Sequence, residues 1–167
     1  MSSSESFELP EVDSLTAGTV GPPGQRIFFL QVRRGADVLS LKLEKAQVDA
    51  LARYLTAMLS DLPEIGDVPH DLDLEEPVVA SWTVGSLGVS YDEEADRVLI
   101  LAEELVDEGE EGAQARIRAT REQVAGLARR GSELVAAGRP NCPLCGYPLD
   151  PRGHACVRRN GQKPPTL

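Results

Sequence analysis

The chain has 167 residues, 41% of them apolar and 26% charged, with a formal net charge of −10. That length suffices for one ordinary domain or two small ones, burying about 70% of the surface the unfolded chain exposes, and one Trp, three Tyr and three Phe leave it an aliphatic core. No run approaches the ~18 apolar residues of a membrane span and MSSSESFELPEV lacks the basic and apolar regions of a signal peptide, so a cytoplasmic protein with no membrane partner is expected.

The fold class expected is α+β. Residues 1–14 are Ser-rich and acidic and read as a flexible N-terminus, although Phe7 and Leu9 could pair with a sheet edge. Three short strands follow at 15–21, 26–32 and 38–43, because apolar and β-branched runs bounded by Gly and Pro bury one face and turn tightly. In 44–59, Val48, Leu51, Ala52, Leu55 and Leu59 fall at helical spacing, which predicts an amphipathic helix laid on the sheet. Residues 15–60 thus form a β-β-β-α unit, and 61–80, acidic and punctuated by Pro63, Pro69 and Pro77, form a linker with little regular structure.

The pattern then returns over 81–138. WTVGSLG at 82–88 matches LTAGTVG at 15–21, and RVLIL at 97–101 matches RIFFL at 26–30. AQARIRA at 113–119 takes the third strand, and in the helix Gln123-Val124 and Leu127-Ala128-Arg129 repeat Gln47-Val48 and Leu51-Ala52-Arg53. The expectation is a duplicated β-β-β-α unit. Two copies would join in one antiparallel sheet, or in two facing sheets, about a pseudo-twofold axis, with both helices packed on it. Gly18 and Gly85 lie within strands, where glycine marks a bulge or a close backbone approach.

Residues 139–167 carry the most specific chemistry. NCPLCGYPLDPRGHAC, at 141–156, holds all three cysteines, and Cys142, Cys145, His154 and Cys156 offer a metal three thiolates and an imidazole. A redox dithiol opens a helix in a βαβ context, and Pro148 and Pro151 follow too soon for that. The expectation is a small C-terminal knuckle around a structural zinc. With four protein ligands no coordination position stays open for catalysis, and such a metal contributes about 10 to 16 kcal/mol of local folding free energy at neutral pH.

Charge is uneven along the chain. Residues 1–115 carry 24 acidic and 7 basic side chains, a balance of −17, whereas 116–167 carry 3 acidic and 10 basic, a balance of +7. Arg116, Arg118, Arg121, Arg129, Arg130, Arg139, Arg152, Arg158, Arg159 and Lys163 either pack near the acidic body or line a surface for phosphates or an acidic partner. Of these, Arg139, Arg152, Arg158, Arg159 and Lys163 flank the knuckle and are the candidate anion or partner contacts. His70, alone in a polar linker, reads as a solvated side chain, as do the carboxylate runs at 92–94 and 103–111. The Gly-rich GTVGPPGQR at 18–26 leads into a strand and lacks the Lys-Ser or Lys-Thr of a phosphate loop, so it reads as a hairpin turn.

Through AGTVGPPGQRIFFLQ, LEKAQV, WTVGSLGVSYD and AAGRPNCPLCGYPLDPRGHACVRRNG the chain resembles the actinobacterial domain-of-unknown-function 3090 family, over nearly its whole length. The resemblance implies no activity and no catalytic residues. It does imply an actinobacterial protein typically encoded near a histidine-phosphatase-like and a kinase-like protein. The function expected is a zinc-stabilised, non-enzymatic binding or adaptor protein with protein partners. One alternative is a nucleic-acid binder that uses the basic knuckle; the other is an enzyme with a site in the groove between the repeats, where Gly18 and Gly85 would let a substrate approach.

Overall fold

A computed structural model describes residues 4–22 and 24–137. The described chain is a mixed α+β fold with one seven-stranded sheet and two helices. The strands are β1 (Phe7–Leu9), β2 (Ser14–Val20), β3 (Ile27–Arg34), β4 (Asp37–Leu43), β5 (Ala80–Asp92), β6 (Arg97–Glu104) and β7 (Gln114–Ala119); the helices are α1 (Lys45–Ser60) and α2 (Arg121–Ala137). The β2–β3 connection is the expected tight turn, with Gly21 at φ 108° and Gly24 at φ 88°, backbone that side chains with a Cβ rarely adopt.

The strand order is β1-β7-β6-β5-β4-β3-β2. The sheet is not wholly antiparallel as expected: β4 runs parallel to β5, and β1 parallel to β7. Its two edge strands, β1 and β2, are consecutive in the chain. The five steps from Leu9 to Ser14 span at most about 17 Å, whereas six inter-strand spacings in a flat sheet cover about 29 Å. The sheet must therefore curl until its edges approach each other, giving a barrel-like wall.

Both halves follow one pairing scheme. In each, a leading segment lies parallel to the last strand of the other half, Phe7–Leu9 on β7 and Ala80–Thr83 on β4, and the strand then continues antiparallel to the second strand of its own half. The register corrects the sequence match, however. Ala17 faces Leu30, which faces Leu41, three residues before α1's cap Glu44; Val89 faces Ile100, which faces Ile117, three before Thr120 ahead of α2. Val89, not Val84, is thus the counterpart of Ala17. The likeness of WTVGSLG to LTAGTVG is displaced by five residues, of which the shift in the register of β5 between Val84 and Ser86 accounts for one. RVLIL against RIFFL is displaced by one, enough to exchange the faces of a strand.

The inner face of the wall carries Leu15, Ala17, Phe28, Leu30, Val32, Leu41, Trp82, Val84, Val98, Ile100, Ile117 and their neighbours, all buried in one core with Val48, Leu51 and Leu55 of α1 and Val124, Leu127 and Leu134 of α2. The helices are antiparallel, with Gly131 against Val48 and Ala52 at one end and Gly66, just past α1, bonded to Glu122 at the other. Space between them and the sheet is only about 10 Å³. The N-terminal residues are held where flexibility was expected. Trp82 Nε1 donates to Glu5 O (2.9 Å), Gln114 N–H to Ser6 Oγ (3.0 Å), and Phe7–Leu9 pair with β7. The sequence placed an N-terminus there because Ser and Glu dominate it, and only the alternation of Phe7 and Leu9 marks the strand.

Candidate binding groove

Each helix begins with the same device. The Glu44 N–H donates to Gln47 Oε1 (2.8 Å), and the Thr120 N–H donates to Gln123 Oε1 (2.9 Å), while the Gln123 N–H returns a bond to Thr120 Oγ1 (3.1 Å). A side chain at the third helical position that satisfies an orphan main-chain donor fixes where the helix starts. The same glutamine amides then reach outwards. Gln47 Nε2 donates to Val84 O (3.1 Å), and Gln123 Nε2 donates to Val12 O (2.9 Å).

Beyond Gly85, β5 has a strand partner on one side only: 86–92 pairs with β6, while β4 reaches no further than Thr83. Helix α1 runs beside the free edge. Gln47 joins Val84 at one end, and at the other Arg121 holds both Asp96, past β5, and the Pro63 carbonyl, past α1. Between helix and edge lies a groove of about 510 Å³ lined by Gln47, Ala50, Leu51, Tyr54 and the strand residues Gly85–Val89. Its floor is apolar, with Leu51 buried and Leu87 and Val89 half-buried on the core. Tyr54 stands 55% exposed at its rim. A strand edge with free N–H and C=O groups beside apolar pockets is the geometry that receives an extended peptide as an added strand.

The counterpart of this groove, between α2 and β2, is occupied by the chain itself. Counted from the helix caps, Gln123, Gly126, Leu127 and Arg130 correspond to Gln47, Ala50, Leu51 and Tyr54. Over them passes the segment 69–75. Leu72 is 7% exposed, Thr16 Oγ1 donates to its carbonyl, and a Cβ on Gly126 would come within 3.2 Å of its Cδ1. Arg129 donates to Pro69 O (2.9 Å), and Arg130 pairs with Asp73 (3.8 Å). The segment then crosses the outer face, where Leu74 fills the space a Cβ on Gly18 would need. Gln31 exchanges bonds with Glu75, taking its N–H at 2.7 Å and donating to its carbonyl at 3.1 Å. The stretch 61–79 has no helix or strand, as the sequence predicts, but it is strapped down.

The two strand glycines therefore serve internal contacts. Gly18 admits Leu74, and Gly85 lies where a Cβ would be 2.9 Å from Leu105 Cα.

At the closed end of the open groove, Asp96 takes Arg121 Nε at 2.7 Å and Nη2 at 3.3 Å, and the Tyr91 hydroxyl at 2.7 Å. The Arg121 bonds, with the Tyr91 bond second, hold the Asp96 carboxyl below its ordinary value, and the Asp96 bond raises the Tyr91 phenol and the Arg121 guanidinium. On β6 the Ala113 N–H, and after it the Ser4 hydroxyl, lower Glu104.

Of the residues singled out in the sequence, Arg116, Arg118, Arg121 and Arg130 pair with Glu8, Asp92, Asp96 and Asp73, so among the described residues four of the five meet carboxylates. His70 lines a shallow depression of about 300 Å³ with Arg129, Arg130 and Glu133. Cys142, Cys145, His154, Cys156, Arg139, Arg152, Arg158, Arg159 and Lys163 lie outside the described residues. Among the described residues no group of three or more His, Cys, Asp and Glu side chains is placed to hold a metal, and no helix is long and apolar enough to cross a membrane. The groove itself escaped sequence reading. Its one signal was the alternation of Leu72 and Leu74 with acidic residues in PHDLDLEE, which marks an extended segment with a buried side.

No curated protein and no solved structure matches the chain. A family model described as "Protein of unknown function (DUF3090)" matches residues 7–156, and the chain belongs to that family.

Proposed function

We propose that this member of a family of unknown function is a binding or adaptor protein that takes an extended segment of another protein in the α1/β5 groove. The observation that carries the reading is the counterpart groove, which holds 69–73 of the chain itself: the same architecture is seen to seat a non-helical, leucine-bearing segment. The groove walls support binding over acid–base chemistry, since Tyr54 is their one titratable side chain. A structural zinc on Cys142, Cys145, His154 and Cys156 belongs to the same proposal; three thiolates and an imidazole are a donor set that suits zinc. It would rigidify the end of the chain that carries Arg139, Arg152, Arg158, Arg159 and Lys163.

The test is a comparison of what co-purifies with the native protein and with Ala50→Trp, a substitution on the helix's groove side that fills the space. Bound protein that is lost from the variant supports the groove. Bound protein retained in full, or a bound small molecule or nucleic acid in its place, overturns the reading.

A further inference from the structure

We infer that the segment this groove takes is basic: about seven extended residues in which small apolar side chains alternate with lysine or arginine. The inference rests on the binding reading above and adds the chemistry of the partner.

Length follows from the geometry. The edge of β5 that has a strand partner on one side only runs from Ser86 to Asp92, seven residues long, which an extended segment of about seven residues matches. Size follows from one exchange. Where Gly126 admits Leu72, the open groove has Ala50, whose methyl takes up part of that pocket and favours a valine, proline or alanine.

Charge follows from three observations. Arg130, which receives Asp73 in the filled groove, is replaced by Tyr54 in the open one, so no cation waits for an acidic segment. Just past the ends of α1 and β5, outside the groove's own lining, Asp61, Glu64, Glu93 and Glu94 carry no ion pair among the described residues. Tyr54 is exposed at the rim, and an aromatic ring there attracts a cation. A second copy of the chain is disfavoured on the same ground: the described residues carry 26 acidic and 12 basic side chains, and two such bodies repel.

The experiment uses the full chain with Tyr54→p-benzoylphenylalanine and three octapeptide probes, alternating valine–lysine, valine–glutamate and serine–lysine. Affinity is read on the unmodified chain at low and high salt, and photo-adducts are mapped by mass spectrometry. Valine–lysine should bind about tenfold or more tighter than either other probe, weaken with salt, and give an adduct at position 54. Ala50→Trp should abolish that binding with the far-ultraviolet spectrum unchanged. Equal binding of valine–lysine and valine–glutamate, blocked by Ala50→Trp, overturns the basic preference and leaves the groove reading standing. Equal binding of valine–lysine and serine–lysine, or none by any probe, overturns both. Adducts confined to the chain's own residues, or to a second copy, assign the groove to those occupants and overturn the inference.

Discussion

Gln47 and Gln123 perform one task from opposite helices. Each accepts the N–H of the residue that caps its helix, and each gives its amide hydrogen to a main-chain carbonyl of the other half, Val84 in β5 or Val12 just before β2. Helix start and inter-half contact are thereby fixed by one side chain in each half. Replacement by alanine removes both bonds. Gln47→Ala and Gln123→Ala should each cost about 1 to 2 kcal/mol. The residues cap opposite ends of the helix pair and share no partner, so the double variant should lose about the sum. Urea midpoints of the four proteins measure this, and a strongly sub-additive double variant would count against independent roles.

The segment 69–75 contributes to the core although it is neither helix nor strand. Leu72→Ala should destabilise by about 2 to 3 kcal/mol, because Leu72 is buried between Gly126 and Thr16 and its removal leaves a cavity. Leu62→Ala, half-buried in the same connection, should cost clearly less. Equal costs in denaturant melts would mean that the strap is loose.

Two glycines of β5 separate sharply. Gly85→Ala brings a methyl to 2.9 Å from the main chain of Leu105, which cannot swing aside, and should cost about 1 to 3 kcal/mol. Gly88→Ala meets nothing within 4 Å and should be within about 0.5 kcal/mol of neutral. Thermal melts distinguish them.

Acid should loosen the two carboxylate contacts together. Asp96 and Glu104 both have folded pKa values below their ordinary ones of 3.8 and 4.5. Their contribution is therefore fully present above that ordinary range and is lost as pH falls through the lower folded values. Stability measured by urea between pH 6 and about pH 3 should fall less steeply in an Asp96→Asn, Glu104→Gln double variant than in the parent. Parallel curves would place the acid sensitivity elsewhere.

For the cysteine cluster, metal analysis should find close to one zinc per chain, and Cys142→Ser should abolish it. The described residues build an aliphatic core among themselves, so the main unfolding transition should stay in place. Collapse of that transition would show that the metal is part of the core.

Much of this fold is legible in the sequence because local chemistry dictates it. The apolar spacing of Val48, Leu51, Ala52 and Leu55 gives α1, and the Gln-Val and Leu-Ala-Arg correspondences of the helices hold in the structure. The strands are harder. Gly18 and Gly85 share a sequence context but not a place, since pairing register is set by partners far along the chain. The groove is less legible still. It exists because β4 ends at Leu43 and turns into α1 while β5 runs on to Asp92, a mismatch of lengths between elements that no short motif encodes.

The short bridge at Pro10–Asp13 also orders events during synthesis. Phe7–Leu9 find their partner only in Ala115–Ile117, more than a hundred residues later, so a growing chain carries an unsatisfied strand at its front while everything between is made. The first hairpins and α1 can form early, but the wall closes last, by a contact of very long sequence separation that folds slowly. Until then the exposed edge is a place where a nascent chain can pair wrongly, with itself or with a neighbour.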